Sequence, residues 1–142
     1  AVLGAAREED VERLRAFGYH LGMAFQIIDD ILDFTSTDAV LGKPAGSDLH
    51  QGTVTLPVFY FIQDAPDRGA LLAQLEAWAA ADGHTSTLDL VAHIAQSNAI
   101  ARAYDEAASF IAEAVAALQP LPASDTRSAL LEMATATLGR HR

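Results

Sequence analysis

Three carboxylates, Asp29, Asp30 and Asp33, crowd into five residues within Gly22-Met23-Ala24-Phe25-Gln26-Ile27-Ile28-Asp29-Asp30-Ile31-Leu32-Asp33. An α-helix advances about 100° per residue. On that wheel Gly22, Gln26, Asp29 and Asp33 share one narrow face, with Asp30 at its edge. Leu14, Leu21, Phe25, Ile28 and Leu32 form one flank, and Ala24, Ile27, Ile31 and Phe34 lie on the far side. A helix that is apolar nearly all round is normally packed inside a protein. Ionised carboxylates are costly there without partners, and neighbouring like charges add to the cost. A divalent cation removes the problem. Mg²⁺ takes hard oxygen ligands, usually one or two carboxylates together with phosphate oxygens and water. The spacing therefore predicts an Mg²⁺–diphosphate site lining an internal cavity. The competing reading is a solvated acidic turn, which the apolar flanks argue against.

The second informative stretch is the loop Thr35–Thr55, with Gly42, Gly46 and Gly52, Pro44 and no helical period. Connections of this length in a compact domain are often lids or binding loops. Lys43 is its only lysine or arginine. Flanked by glycine and proline, it can bring a point charge to a phosphate. Asp48 can act behind the metal, through its waters. Taken alone, the loop fits a solvated lysine and an Asp capping a turn at least as well. Gly18 and Gly22 lie one turn apart on the acidic face, which suits either a close approach to the backbone or close helix packing.

The elements that position these residues read as helices throughout. Glu8, Glu9 and Asp10 suit the start of a helix running from about Asp10 to Phe34. Thr55 is a candidate N-cap for the next, with Pro57 in its first turn. The apolar run Val58–Ile62 predicts that this helix is buried. Asp67 can cap a helix from Arg68 to about Ala81, which Asp82-Gly83-His84 ends. Ser86 or Thr87 starts another, with a break near Ser97-Asn98. A helix from Ala99 to Leu118 stops at Pro120 and Pro122, and Ser124 caps the last.

Composition narrows the function classes. The 142 residues are 51% apolar and only 7% aromatic, which favours helices over sheets. The sequence has no cysteine, so disulfides and zinc–thiolate sites are excluded and a reducing cytoplasm is permitted. A net charge of −10 argues against nucleic acid as a partner. The longest apolar run is too short for a membrane span of about 20 residues. The five histidines, His20, His50, His84, His93 and His141, show no paired Glu-x-x-His arrangement of the kind that holds a di-iron centre. They read as structural or solvated. The opening Ala1-Val2-Leu3-Gly4 carries no Met and reads as the interior of a longer protein.

The Phe25-Gln26-Ile27-Ile28-Asp29-Asp30-Ile31-Leu32-Asp33 segment is followed by Leu41-Gly42-Lys43-Pro44, Gly46-Ser47-Asp48-Leu49 and Thr55-Leu56-Pro57. In this combination it resembles the second aspartate-rich region, and the loop after it, of trans-polyprenyl diphosphate synthases. The resemblance extends over nearly the whole chain. It implies an all-α, isoprenoid-synthase-type helical bundle, present here as its C-terminal portion in residues 1–142, with the 35–55 loop as an active-site lid. It implies a prenyltransferase that condenses an allylic diphosphate with isopentenyl diphosphate, head to tail, using Mg²⁺, in a cytoplasmic homo-oligomer. On the same resemblance Asp29 binds the metal, with Asp30 and Asp33 supporting it and Asp48 near the metal and its waters. Lys43 contacts the diphosphate, and Gln26 lies near the developing carbocation. One departure stands out. The family pattern Gly-Lys-x-Thr-Leu-Pro is here Gly52-Thr53-Val54-Thr55-Leu56-Pro57, so a lysine is replaced by Thr53. That change is the one feature favouring the alternative, a non-catalytic regulatory or partner subunit of the same fold. A terpene cyclase with similar metal–diphosphate chemistry fits less well, given Gly42-Lys43 and Thr55-Leu56-Pro57.

Overall fold

Local sequence signals account for most helix ends in the computed structural model, which describes residues 6–36, 45–80 and 87–139. Among these residues every regular element is a helix. They are α1 (Glu8–Thr35), α2 (Ser47–His50), α3 (Leu56–Asp64), α4 (Arg68–Ala80), α5 (Thr87–Gln96), α6 (Asn98–Leu118) and α7 (Asp125–Leu138). The first turn of α1 holds Glu8, Glu9 and Asp10 at the positive end of the helix dipole. Arg7 ties two of them by ion pairs of 2.9 Å to Glu9 and 2.9 Å to Asp10.

The chain divides into two compact units, one made of Ala1–Ile28 with Asp105–Arg142 and the other of Asp29–Tyr104. In the first, Phe17 and Ala24 from α1 are buried with Ile111, Ala114 and Leu118 from α6 and Ala134 from α7. Leu14, Leu21, Leu130, Leu131 and Leu138 pack around them. The α6 positions Ala107, Ile111, Ala114 and Leu118 recur at helical spacing and are all buried. Pro120 and Pro122 follow the end of α6. Its last carbonyl oxygens then need donors from elsewhere. Arg127 supplies one: its Nε donates to the Leu118 carbonyl at 3.0 Å, which also accepts the Leu121 amide at 3.1 Å, while Nη2 donates to the Gln119 side chain at 3.1 Å. Ser124 caps α7, its Oγ accepting the Arg127 amide at 3.1 Å.

The second unit buries Phe34, Leu49, Val58, Val91 and Ile94, with Ile62, Leu75, Leu90 and Ile100 packed against them. Asp67 caps α4 by accepting the Ala70 amide at 2.9 Å. Ser97 separates α5 from α6: its Oγ donates to the Ile94 carbonyl at 2.8 Å and accepts the Ala99 amide at 3.2 Å. Asp82-Gly83-His84 and Ser86 lie outside the described residues.

Three expectations change. The α3 run is not buried all round, since Phe59 is 51% exposed. Five successive helical residues point in every direction, and only Val58, Phe61 and Ile62 fall within one third of the wheel and join the core. On the opposite side Tyr60 is covered by the Arg102 guanidinium, 4.1 Å above its ring centroid. Thr55 precedes α3 in extended geometry but makes no side-chain cap. A cap of this kind uses the N–H two or three residues on, and Pro57 removes the first of these two donors, leaving only that of Val58. Finally, the 35–55 segment is not wholly without helix, because Ser47–His50 form one turn.

Candidate functional site

The acids lie at the end of α1, and the 46–49 segment folds over the last of them. Asp33 is 1% exposed. Its Oδ1 accepts the Ser47 hydroxyl at 2.9 Å and its Oδ2 accepts the Asp48 amide at 3.2 Å. Its backbone carbonyl accepts the Gly46 amide at 2.8 Å. Asp33 thus joins the end of α1 to the start of α2 through three bonds. The backbone of Asp48 is held on its other side too, its carbonyl accepting the Gln51 amide at 3.1 Å and the Thr53 amide at 2.9 Å. Leu49 anchors the turn, buried in the core with Phe34 and Val91.

Gly46 explains why the segment can come this close. Its φ is +74°, where a side chain is strained. A Cβ there would stand 2.4 Å from Val91 Cγ2. Position 46 therefore excludes any side chain on two independent grounds.

The sequence-derived candidates separate by environment. Asp33 is buried and bonded to the turn, Asp30 is 9% exposed, and Asp48 is half-buried. Asp29 is exposed, so the reading of three buried acids holds for two of them. Asp33 and Asp48 are brought together through the Asp48 amide. Gln26 belongs to the other unit and is exposed. Lys43 lies outside the described residues, with the rest of 37–44. α1 is also less enclosed than its apolar faces suggested, because Tyr19 is 61% and Phe25 45% exposed. A Cβ built at Gly18 or Gly22 would meet nothing within 4 Å, so helix packing among the described residues does not account for these glycines.

Among the described residues no three acidic or histidine side chains converge as a metal cage. That still suits a cation that arrives with its substrate, because Mg²⁺ in such sites takes one or two carboxylates and fills the rest of its shell with phosphate oxygens and water. The donor set is oxygen only, and Asp29 is accessible. The residues fit the group on those grounds. Two cavities in the second unit, of about 560 and about 260 Å³, are lined by other residues, among them Phe61, Leu71 and Asn98 in the larger and Val54, Leu72 and Leu75 in the smaller. Ser47 and Val91 are participants that sequence reasoning missed. Ser47 sits beside Asp48 in the Gly-x-Asp-Leu element, but nothing local names Asp33 as its partner.

A family model for polyprenyl synthetase matches residues 1–93. Heptaprenyl diphosphate synthase component 2 of Geobacillus stearothermophilus is 41% identical over 137 residues, which cover 94% of this chain and 41% of that protein. Solanesyl diphosphate synthase 1, chloroplastic, of Arabidopsis thaliana is 36% identical over 140 residues, 99% of this chain and 33% of that protein. Among solved structures, a polyprenyl synthase from Caulobacter crescentus CB15, complexed with calcium and isoprenyl diphosphate, superposes with a TM-score of 0.84 at 32% identity, covering 100% of this chain and 43% of that one. A decaprenyl diphosphate synthase from Rhodobacter capsulatus superposes equally well, at 0.84 and 28% identity, over 99% of this chain and 43% of that one. The chain spans a third to about two fifths of the length of these relatives. With an all-helical fold shared with these synthases and a matching family model over most of its length, the chain belongs to the polyprenyl synthetase family.

Proposed function

We propose that this chain supplies the allylic-diphosphate side of a prenyltransferase site, in an enzyme that joins an allylic diphosphate to isopentenyl diphosphate, head to tail, to make a polyprenyl diphosphate. The observation that carries the reading is the arrangement at the end of α1, where Asp29 is accessible and Asp33 is bonded to the turn that carries Asp48. The Caulobacter relative, solved with calcium and isoprenyl diphosphate, supports a divalent cation between carboxylates and diphosphate. We assign Mg²⁺ to that role, bound through Asp29 with Asp30, Asp33 and Asp48 in support. When bound, the cation spreads the negative charge of the departing diphosphate.

The protein's own groups do the rest. Lys43 holds a diphosphate oxygen and strengthens its grip as charge builds on the leaving group. Gln26 presents its amide near the carbon that becomes cationic. The double bond of isopentenyl diphosphate attacks that carbon, and loss of a proton restores neutrality. The apolar residues flanking the acids keep water from the cation. Thr53 in place of the family lysine removes one positive charge from the turn beside Asp48, which lowers affinity for the diphosphate. The relatives' names as diphosphate synthases favour a catalytic role over that of a non-catalytic partner. The same proposal makes the enzyme a cytoplasmic homo-oligomer. Among the described residues no helix is long and apolar enough to cross a membrane.

The test is incorporation of radiolabelled isopentenyl diphosphate by the natural full-length protein with Mg²⁺. Asp29→Ala is expected to lower kcat on the order of a hundredfold or more, the loss typical of removing one group that stabilises transition-state charge. Full activity in the variant would sink the assignment.

A further inference from the structure

We propose that Asp33 is a positioning residue and not a ligand of the metal: it holds the Gly46–Leu49 turn and so sets the backbone from which Asp48 presents its carboxylate. The inference rests on the prenyltransferase reading above and gives one of its acids a different task.

The geometry separates Asp33 from Asp29. A ligand carboxylate needs an oxygen that a cation can reach. Asp33 is 1% exposed, whereas Asp29 is exposed. Each Asp33 oxygen already faces the positive end of a donor, the Ser47 hydroxyl at 2.9 Å and the Asp48 amide at 3.2 Å. A cation approaching those oxygens meets like partial charge. The same two bonds are what a turn-fixing group requires. An acceptor with two oxygens takes one hydroxyl and one amide from successive residues. The Asp33 backbone carbonyl adds the Gly46 amide at 2.8 Å.

Rigid neighbours complete the device. Gly46 is wedged against Val91 at a φ of +74°, and Leu49 is buried on the other side of Asp48. The Asp48 carbonyl takes two further amides, from Gln51 and Thr53. The backbone of Asp48 is therefore fixed at both its N–H and its C=O, on either side of its half-buried side chain, and Gly46 two residues before it is fixed likewise, by the Asp33 carbonyl and the His50 amide. Carboxylates that orient others in this way lower metal affinity when lost, without touching the metal.

The experiment uses the natural full-length protein and compares Ser47→Ala, Asp33→Asn and Asp29→Asn. Ser47→Ala removes a bond to Asp33 and leaves every carboxylate in place. Amide hydrogen exchange of Gly46 and Asp48, without metal or substrate, reads the turn directly. Prenyl transfer against Mg²⁺ concentration reads the consequence. A positioning role predicts that Ser47→Ala and Asp33→Asn both speed exchange at Asp48 on the order of tenfold or more, as loss of a hydrogen bond to a charged group implies. It predicts that both raise the Mg²⁺ concentration for half-maximal rate, while Asp29→Asn leaves exchange at Gly46 and Asp48 unchanged. A Ser47→Ala enzyme with unchanged exchange and unchanged Mg²⁺ dependence overturns the proposal, even if Asp33→Asn fails to fold. An Asp33→Asn enzyme that loses Mg²⁺ affinity while its turn stays protected also overturns it, because Asp33 would then be a ligand. Failure of the parent reading looks different: Asp29→Asn would leave the Mg²⁺ dependence of prenyl transfer unaltered, whatever the exchange rates show.

Discussion

At the scale of single residues, Gly46 and Thr53 make opposite statements about the same turn. Gly46 sits where both φ and Val91 forbid a side chain. Gly46→Ala is expected to destabilise the protein by about 2–4 kcal/mol, combining backbone strain with overpacking. Thermal unfolding checks this, and the cost should shrink in a Val91→Ala background because the overlap is then relieved while the strain remains. Thr53 is exposed, and its amide is fixed on Asp48. A longer, charged side chain fits there without disturbing the turn. Thr53→Lys is expected to tighten binding of inorganic diphosphate with Mg²⁺ by roughly two- to tenfold, the range of an exposed ion contact. Calorimetric titration of the full-length protein measures it, and an unchanged affinity would mean that position 53 does not face the diphosphate.

At the scale of elements, the helices were legible wherever their ends are written locally. The acidic start of α1 and the caps at Asp67, Ser97 and Ser124 all lie within a few residues of what they cap. Two features depend on groups far along the chain. At the end of α6 the Leu118 carbonyl accepts a charged donor from Arg127, nine residues on. The start of α2 is held by Asp33, fourteen residues before Ser47. Arg127→Ala removes a charged donor from the terminal carbonyls and is expected to cost about 1–2 kcal/mol. In a chain of this size that lowers Tm by a few degrees, on the order of 2–6 °C. An unchanged Tm would show that water replaces the arginine without loss. Thr55 shows the limit of motif reading, because its Oγ1 is buried with no hydrogen-bond partner among the described residues although the sequence marks it as a cap.

At the scale of the whole molecule, each of the two compact units has a small core among the described residues. Phe17, Ile111 and Leu118 centre the first, and Phe34, Val58 and Ile94 the second. Each is assembled from helices that are separated along the chain. Tyr19, Met23 and Phe25 remain exposed on α1. Side chains of this size favour association when they face water. The 142-residue chain by itself is expected to form dimers or larger species in gel filtration and to make no prenyl product from labelled substrates. A monodisperse monomer would contradict the first expectation, and labelled product would contradict the second.

The sequence by itself determined the helical class, the order of the elements and the acids of interest, because hydrophobic periodicity, caps and breakers act over one or two turns. Asp29, Asp30 and Asp33 look alike at that range. Only the tertiary structure decided that Asp29 meets solvent while Asp33 is sealed under Ser47 and Asp48. Burial and long-range hydrogen bonds depend on where a distant segment returns, and that is set by the packing of Leu49 and Gly46 against Val91, which no local spacing encodes.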